Sequence, residues 1–284
     1  MRKPNAAVLL CTYLILVGCG SPQAQTLKPT VQPAEETPTR MPTPTPRIDA
    51  LVACEDFERI VVGDYVLNNN VWNKGQRTDY TQCVFAQGDI PPAIMGWRWD
   101  WPGSGRQIMA YPEVMYGDSP WDDHSPTGAL PLPVEDCELL VTYDASQQAS
   151  GRWNVALEMW LTSSLPPAED NITDEVMIWV DDHDLVPGPP LHSLVTIDGY
   201  KYSLHVRRGH GDESGGSSAT WSYIAFFARE PQLSGTLDMA KFLDYLLENE
   251  VIAQGRYVAS LELGTEVASG EGEFTLRTYE ISVP

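Results

Sequence analysis

The sequence predicts an all-β fold, a jelly-roll sandwich of two curved antiparallel sheets with one α-helix packed outside. Two observations carry this expectation. Alternation of apolar and polar residues at the strand period recurs from residue 51 to the C-terminal end. Helical spacing stands out once, late in the chain, at Met239, Phe242, Leu243, Leu246 and Leu247. No internal repeat divides the 284 residues.

The first residues are not fold material. Arg2 and Lys3 form a positive n-region, and Ala6 to Val17 is an apolar run too short to span a bilayer. The run ends in Leu16-Val17-Gly18-Cys19, which resembles a bacterial lipobox. That resemblance implies removal of residues 1–18 and a diacylglycerol on the Cys19 sulfur. The expected product is exported and lipid-anchored, facing outward, with the Cys19 lipid as its only hold on a membrane. Residues 19–50, including Thr37-Pro38-Thr39 and Met41-Pro42-Thr43-Pro44-Thr45-Pro46, favour extended polyproline geometry and bury little apolar surface. They read as a tether for a domain spanning 51–284, which is large enough for a real core.

Within that domain Tyr65 to Trp72 alternates, so that Val66, Asn68, Asn70 and Trp72 share a face. Trp97-Arg98-Trp99-Asp100-Trp101 alternates until Pro102-Gly103 ends it, and Leu139 to Tyr143 is a short apolar strand. Trp153 to Leu161 puts Trp153, Val155, Leu157, Met159 and Leu161 on one face, with Asn154, Ala156, Glu158 and Trp160 on the other. Val195 to Ile197 and Tyr200 to Val206 flank Asp198-Gly199, the signature of a tight hairpin. Trp221 to Ala228, Tyr257 to Leu263 and Phe274 to Val283 complete the strands. The helix is expected over 237–250, with Thr236 as its cap and Asp238 in its first turn.

One stretch organises the rest. In Asp174-Glu175-Val176-Met177-Ile178-Trp179-Val180 the strand period sends Val176, Ile178 and Val180 to a core face. Glu175, Met177 and Trp179 take the other, a carboxylate flanked by a thioether and an indole. A sugar ring suits such a surface: the indole stacks on its C–H face and the carboxylate meets the anomeric carbon. Glu158 points to the same kind of face.

Composition narrows the partners. A formal charge of −21 makes nucleic acid and anionic lipid surfaces poor ones, whereas a neutral polysaccharide fits an acidic, exported chain with 9 tryptophans. His124, His183, His192, His205 and His210 show no zinc spacing, so no metal and no cofactor is expected, and a monomer is. Cys54, Cys83 and Cys137 remain in an oxidising compartment, where one disulfide and one odd thiol is the simplest outcome.

Taken together the segments resemble the retaining endoglucanases of glycoside hydrolase family 12. Asn69-Asn70-Val71-Trp72 is similar to that family's Asn-Asn-Leu-Trp element, and Gln82-Cys83-Val84 to its Gly-Cys-Val. Trp99-Asp100-Trp101 and Ala110-Tyr111-Pro112 resemble its Trp-x-Trp and Ser/Ala-Tyr-Pro segments. Glu175-Val176-Met177-Ile178-Trp179 is similar to its Glu-Leu-Met-Ile-Trp and Gly264-Thr265-Glu266 to its Gly-Thr-Glu. The resemblance implies a Cys54–Cys83 bridge with Cys137 unpaired, Glu175 as nucleophile and Glu266 as acid/base. It also implies a carboxyl assisting the nucleophile, where Glu158 replaces the family's usual aspartate. Asn73 stands where the family usually has glycine.

Retaining hydrolysis needs one ionised carboxylate to attack and one neutral carboxyl to protonate the leaving oxygen, about 5–5.5 Å apart. Glu266 is expected just beyond a strand end, reaching into a cleft. Asn70, Trp72, Asn154, Met177 and Trp179 are the candidate sugar contacts, although Asn70 and Asn154 serve equally to satisfy buried backbone. Trp97, Trp160 and Trp221 are assigned to packing, and His205 and His210 to no catalytic duty. The implied activity is endo-cleavage of a β-1,4-glucan: cellulose, mixed-linkage glucan or xyloglucan. The alternative is a noncatalytic glucan-binding lipoprotein on the same sandwich.

Overall fold

The computed structural model describes residues 50–88, 94–121 and 123–283. The chain divides into the units Met1–Thr45 and Pro46–Pro284, and the described residues belong to the second. The segments expected to be a signal peptide and a tether, with Cys19, lie outside the described residues up to residue 49.

In chain order the strands are β1 Leu51–Ala53, β2 Arg59–Val62, β3 Tyr65–Asn68, β4 Thr81–Gln87, β5 Ile94–Trp101, β6 Glu113–Ser119, β7 Asp123–His124 and β8 Leu132–Pro133. They continue as β9 Leu140–Ala149, β10 Arg152–Thr162, β11 Ile172–His183, β12 His192–Ile197, β13 Tyr200–Gly211, β14 Thr220–Ala228, β15 Ser234–Asp238 and, after the helix α1 Met239–Glu248, β16 Tyr257–Ser282. Two layers result, joined by β16. Its first half pairs with β6 and β10 in one layer, and its second half with β5 and β9 in the other. The layer that carries the site runs β3-β6-β16-β10-β11-β14-β13-β12.

The crossing between layers depends on two glycines. Gly151 ends the β9–β10 turn at φ 85°, and Gly270 lies beside it in β16 at φ 98°. A Cβ on Gly151 would stand 2.2 Å from the Ser269 carbonyl oxygen, and one on Gly270 would stand 2.1 Å from that of Ser150. Only residues without a side chain let the two backbones pass at that distance and with that dihedral.

Between the layers lies the main core. Trp153, Val155, Leu157, Met159 and Leu161 of β10 enter it, as do Val176, Ile178 and Val180 of β11. Trp97 stacks on Phe274 with ring centroids 4.5 Å apart and donates its indole N–H to Thr265 Oγ1 at 2.8 Å. The tight β12–β13 hairpin holds as expected, with Asp198 at φ 52° and Gly199 at φ 83°.

Five sequence expectations change. The first strand ends at Asn68 rather than Trp72, because the asparagines that follow use their side chains on backbone. Asn69 Nδ2 donates to the carbonyls of Glu55 and Gln82, and the Trp72 N–H donates to Asn70 Oδ1. The strand that starts near Leu139 runs on to Ala149, held by pairing with β16. The helix starts at Met239, since β15 pairs with β9 and takes Thr236 into that ladder. Its face also joins the main core, where Phe242 meets Tyr202 and Phe226 edge-on. Tyr257 to Leu263 and Phe274 to Val283 are the two ends of one strand. The sheet is not wholly antiparallel either: the β12–β13–β14 meander returns inward in the order β11-β14-β13-β12, and its last strand, β14, lies parallel to β11.

Cys54 and Cys83 form a disulfide across 29 residues of sequence separation, and Cys137 is free and buried. Replacing Cys83 with Ala should lower unfolding stability by roughly 2–4 kcal/mol, because the bridge closes a moderate loop in the unfolded chain. Urea unfolding of the two proteins measures this, and equal midpoints and slopes would contradict it.

Candidate active site

The site is built on one face of β10 and the strands beside it. Asn154, Ala156, Glu158 and Trp160 project from β10 away from the core. Asn154 stands opposite Glu266 of β16, and Glu158 opposite Glu262 of β16 and Met177 of β11. Trp160 stands opposite Glu175 of β11, which in turn pairs with Tyr223 of β14. The two catalytic candidates therefore flank the same central strand from opposite sides. Gly264 completes this surface for a steric reason: a Cβ there would stand 2.6 Å from the Tyr111 ring, whose hydroxyl donates to the Ala156 carbonyl at 3.0 Å.

Each candidate carboxyl has its own N–H donor. The Trp221 indole N–H donates to Glu175 Oε2. Asn154 grips Glu266 twice: its Nδ2 donates to Glu266 Oε2, and its Oδ1 accepts the Glu266 backbone N–H at 3.1 Å. Burial pushes Glu175 up to about 8, with Trp221 and the Arg207 charge opposing and Glu266 and Glu262 adding to the rise. Burial likewise pushes Glu266 up to about 7, opposed by the Asn154 bond. Both carboxyls are thus raised, whereas the role-based expectation was a raised Glu266 beside an ordinary Glu175. The two charges repel across β10, so the pair holds a single proton over part of the neutral range. By these values the shared proton favours Glu175 in the free protein, whereas the form with that proton on Glu266 is the one a double displacement uses.

Glu158 is buried, and its acidity is suppressed by that burial and next by the charge of Glu175, then by Glu262, Glu113 and Glu266. No hydrogen bond joins Glu158 to Glu175 among the described residues, so its link to that carboxyl is electrostatic.

The expected sugar contacts fare differently. Trp72 is half-buried and packs against the apolar cluster of this face. Trp179 and Met177 belong to that cluster, as parity predicts, but Met177 is only 1% exposed and lies beneath the surface instead of lining it. Asn154 is fully buried and engaged with the Glu266 carboxyl, and its Oδ1 accepts a backbone N–H, the second of the two roles expected of it. Asn70 donates to Glu113 Oε1 at 3.1 Å. Glu266 itself is in mid-strand and not beyond a strand end.

Sequence reasoning missed Trp221, Tyr223, Arg207, Glu113 and Glu262. Trp221 had been assigned to packing, and it does meet Trp160 and Trp121 edge-on. Its indole N–H nevertheless serves Glu175. The signal was present, since Trp221 and Tyr223 alternate with Ser222 and Ile224 on the same parity that places Glu175. Arg207 sits over the Tyr223 ring at 5.7 Å and pairs with Glu213 at 3.4 Å. Trp221→Phe keeps the packing and deletes one N–H to a buried carboxylate. Turnover of glucan should fall roughly 10–100-fold, the range for a lost charge-assisted hydrogen bond. Steady-state kinetics test this, and an unchanged kcat would remove Trp221 from the site.

A family model for glycosyl hydrolase family 12 matches residues 63–284. Endoglucanase S of Pectobacterium parmentieri is 27% identical over 243 residues, covering 83% of this chain and 89% of that protein. Xyloglucan-specific endo-beta-1,4-glucanase A of Aspergillus niger is 24% identical over 239 residues, covering 81% and 90%. The family 12 xyloglucanase from Bacillus licheniformis, solved in complex with ligand, has a TM-score of 0.75 at 24% identity, covering 82% of this chain and 100% of that one. The Rhodothermus marinus endoglucanase cel12A has a TM-score of 0.69 at 23% identity, covering 82% and 99%. These structural likenesses extend the shared sandwich over the whole site-bearing domain, and with the match over 63–284 they lead to one statement: the chain belongs to glycosyl hydrolase family 12.

Proposed function

We propose that the protein is a retaining endo-acting glycoside hydrolase that cleaves β-1,4-glucan by double displacement. The observation that carries this reading is the placement of Glu175 and Glu266 on either side of β10, each buried and each held by its own N–H donor. Glu175 attacks the anomeric carbon while protonated Glu266 gives its proton to the leaving oxygen, forming a glycosyl–enzyme ester. Glu266, now a carboxylate, then takes a proton from water, which opens the ester with a second inversion. Asn154 holds Glu266 through both steps, and the Trp221 N–H stabilises the Glu175 carboxylate whenever it is free. The relatives' names divide between endoglucanase and xyloglucan-specific endo-β-1,4-glucanase, so unbranched and xylosyl-branched glucans are the substrates to compare. No observation favours the noncatalytic binding protein.

The test is reducing-sugar release by the 46–284 unit from carboxymethyl cellulose, mixed-linkage glucan and xyloglucan, with viscosity followed in parallel. Endo-cleavage lowers viscosity early, before much reducing sugar appears. Absence of release from every glucan would sink the reading. We propose further that the mature chain is exported and anchored through lipid on Cys19. Loss of detergent-phase partitioning in Cys19→Ala is the expected result, and unchanged partitioning would refute it.

A further inference from the structure

Beneath the proposed catalytic pair lies a second pair of carboxyls that the double displacement does not use. Glu113 of β6 and Glu262 of β16 are both buried and joined by a hydrogen bond between their side chains. A hydrogen bond between two carboxyls needs a proton, so at least one member is an acid. Their partners say which. Glu262 Oε1 accepts from Ser260 Oγ at 2.7 Å, and the Ser119 and Trp160 side chains also donate to Glu262. Three donors besides its twin suit a carboxylate. Glu113 Oε1 takes two amide N–H groups, from Asn68 at 3.2 Å and Asn70 at 3.1 Å, while its buried Oε2 has no donor directed at it. That division suits a carboxylic acid, with Oε1 as the carbonyl oxygen and Oε2 carrying the proton toward Glu262.

We propose that Glu113 holds the proton and Glu262 the charge, and that this pair is the positioning device that keeps Glu158 protonated beside Glu175. The cross-strand register places Glu262 directly opposite Glu158. The ionisable groups around Glu158 are Glu175 on β11, Glu113 on β6, Glu262 and Glu266 on β16, and the phenols of Tyr111 and Tyr223. Among the described residues, no ion pair is formed by Glu113, Glu158 or Glu262. With an anion fixed at Glu262 and no cation to offset it, a second charge on Glu158 is strongly disfavoured. Glu158 then stays neutral and adds no second charge beside Glu175. The inference rests on the retaining-hydrolase reading only for its consequence in the rate profile.

The test pairs two isosteric changes with a readout that needs no catalysis. Glu262→Gln removes the fixed charge, so the Glu158–Glu175 pair gives up its first proton more readily. The acid limb of kcat/KM should move down by about half a pH unit or more, while the basic limb, set by Glu266, stays. Glu113→Gln replaces an acid with an amide that still donates to Glu262 and still accepts from Asn68 and Asn70, and should leave the acid limb in place. Burial raises both carboxyls, Glu113 further than Glu262, so carbon-13 NMR of the wild-type protein with labelled glutamate carboxyls, assigned through these two variants and followed across pH, should show Glu262 ionising before Glu113. A shifted acid limb in Glu113→Gln with none in Glu262→Gln would overturn the assignment, as would equal shifts in both, no shift in either, or a Glu113 resonance that ionises before that of Glu262. An inactive wild-type protein with the expected NMR states would refute the hydrolase reading alone.

Discussion

Glu175→Ala is expected to lower turnover of any glucan by about 10⁵-fold or more, the scale on which loss of a covalent nucleophile falls. Without that carboxylate no glycosyl–enzyme ester forms, and the retaining route is closed. Removing the side chain also opens space on the anomeric face of the sugar. Azide entering there should attack once, with Glu266 still giving its proton to the leaving group, and yield an α-glycosyl azide. Proton NMR of the product measures the configuration. A β-azide from Glu175→Ala would exchange the two assignments.

Glu266→Ala should behave differently because it removes a proton donor and leaves the nucleophile in place. Hydrolysis of natural glucan should fall about 10²–10⁴-fold, the usual contribution of general acid–base catalysis. A dinitrophenyl cellobioside, whose leaving group needs no proton, should still glycosylate Glu175 in a rapid burst. Breakdown of the ester is then slow, and azide should speed it to give the β-azide after two inversions. The pH profile carries a second signature. Glu266 works in its protonated form, so wild-type activity is lost as pH rises and the Glu175–Glu266 pair, raised to about 8 and about 7, gives up its last proton. That basic limb should be absent from Glu266→Ala. If it persisted unchanged, some other group would be the acid.

The parts of the site legible in the sequence are those that depend on strand parity. Glu158, Glu175, Met177 and Trp179 could be assigned to one face because a period of two leaves no choice once Val176 and Leu157 are in the core. Glu175 and Glu266 were singled out by their neighbours, in Glu-Val-Met-Ile-Trp and Gly-Thr-Glu, and the Cys54–Cys83 bridge came from the same resemblance.

What was illegible depends on pairing between distant strands. The 26-residue β16 reads as two segments because its first half is buried on both faces and its second half alternates. Its mid-strand glycines look like breaks until the layers that press on them are seen. Nothing local marks Glu113 and Glu262 as a pair. Only the register of β6 and β10 against β16 brings them together. Thr236 looked like a helix cap because nothing local shows that β9 takes its backbone first. The hold of Asn154 on Glu266 is illegible for the same reason: its partner is 112 residues away.

The central claim is that Glu175 becomes covalently attached to the sugar. It is tested most directly by a 2-deoxy-2-fluoro cellobioside with a dinitrophenolate leaving group, whose fluorine slows hydrolysis of the ester more than its formation. Mass spectrometry of the inactivated protein should show one fluorocellobiosyl group per chain. Proteolysis should place it on the peptide containing Asp174-Glu175-Val176. A label on the Glu266 peptide, or steady turnover of this reagent with no covalent species at any time, would contradict the account.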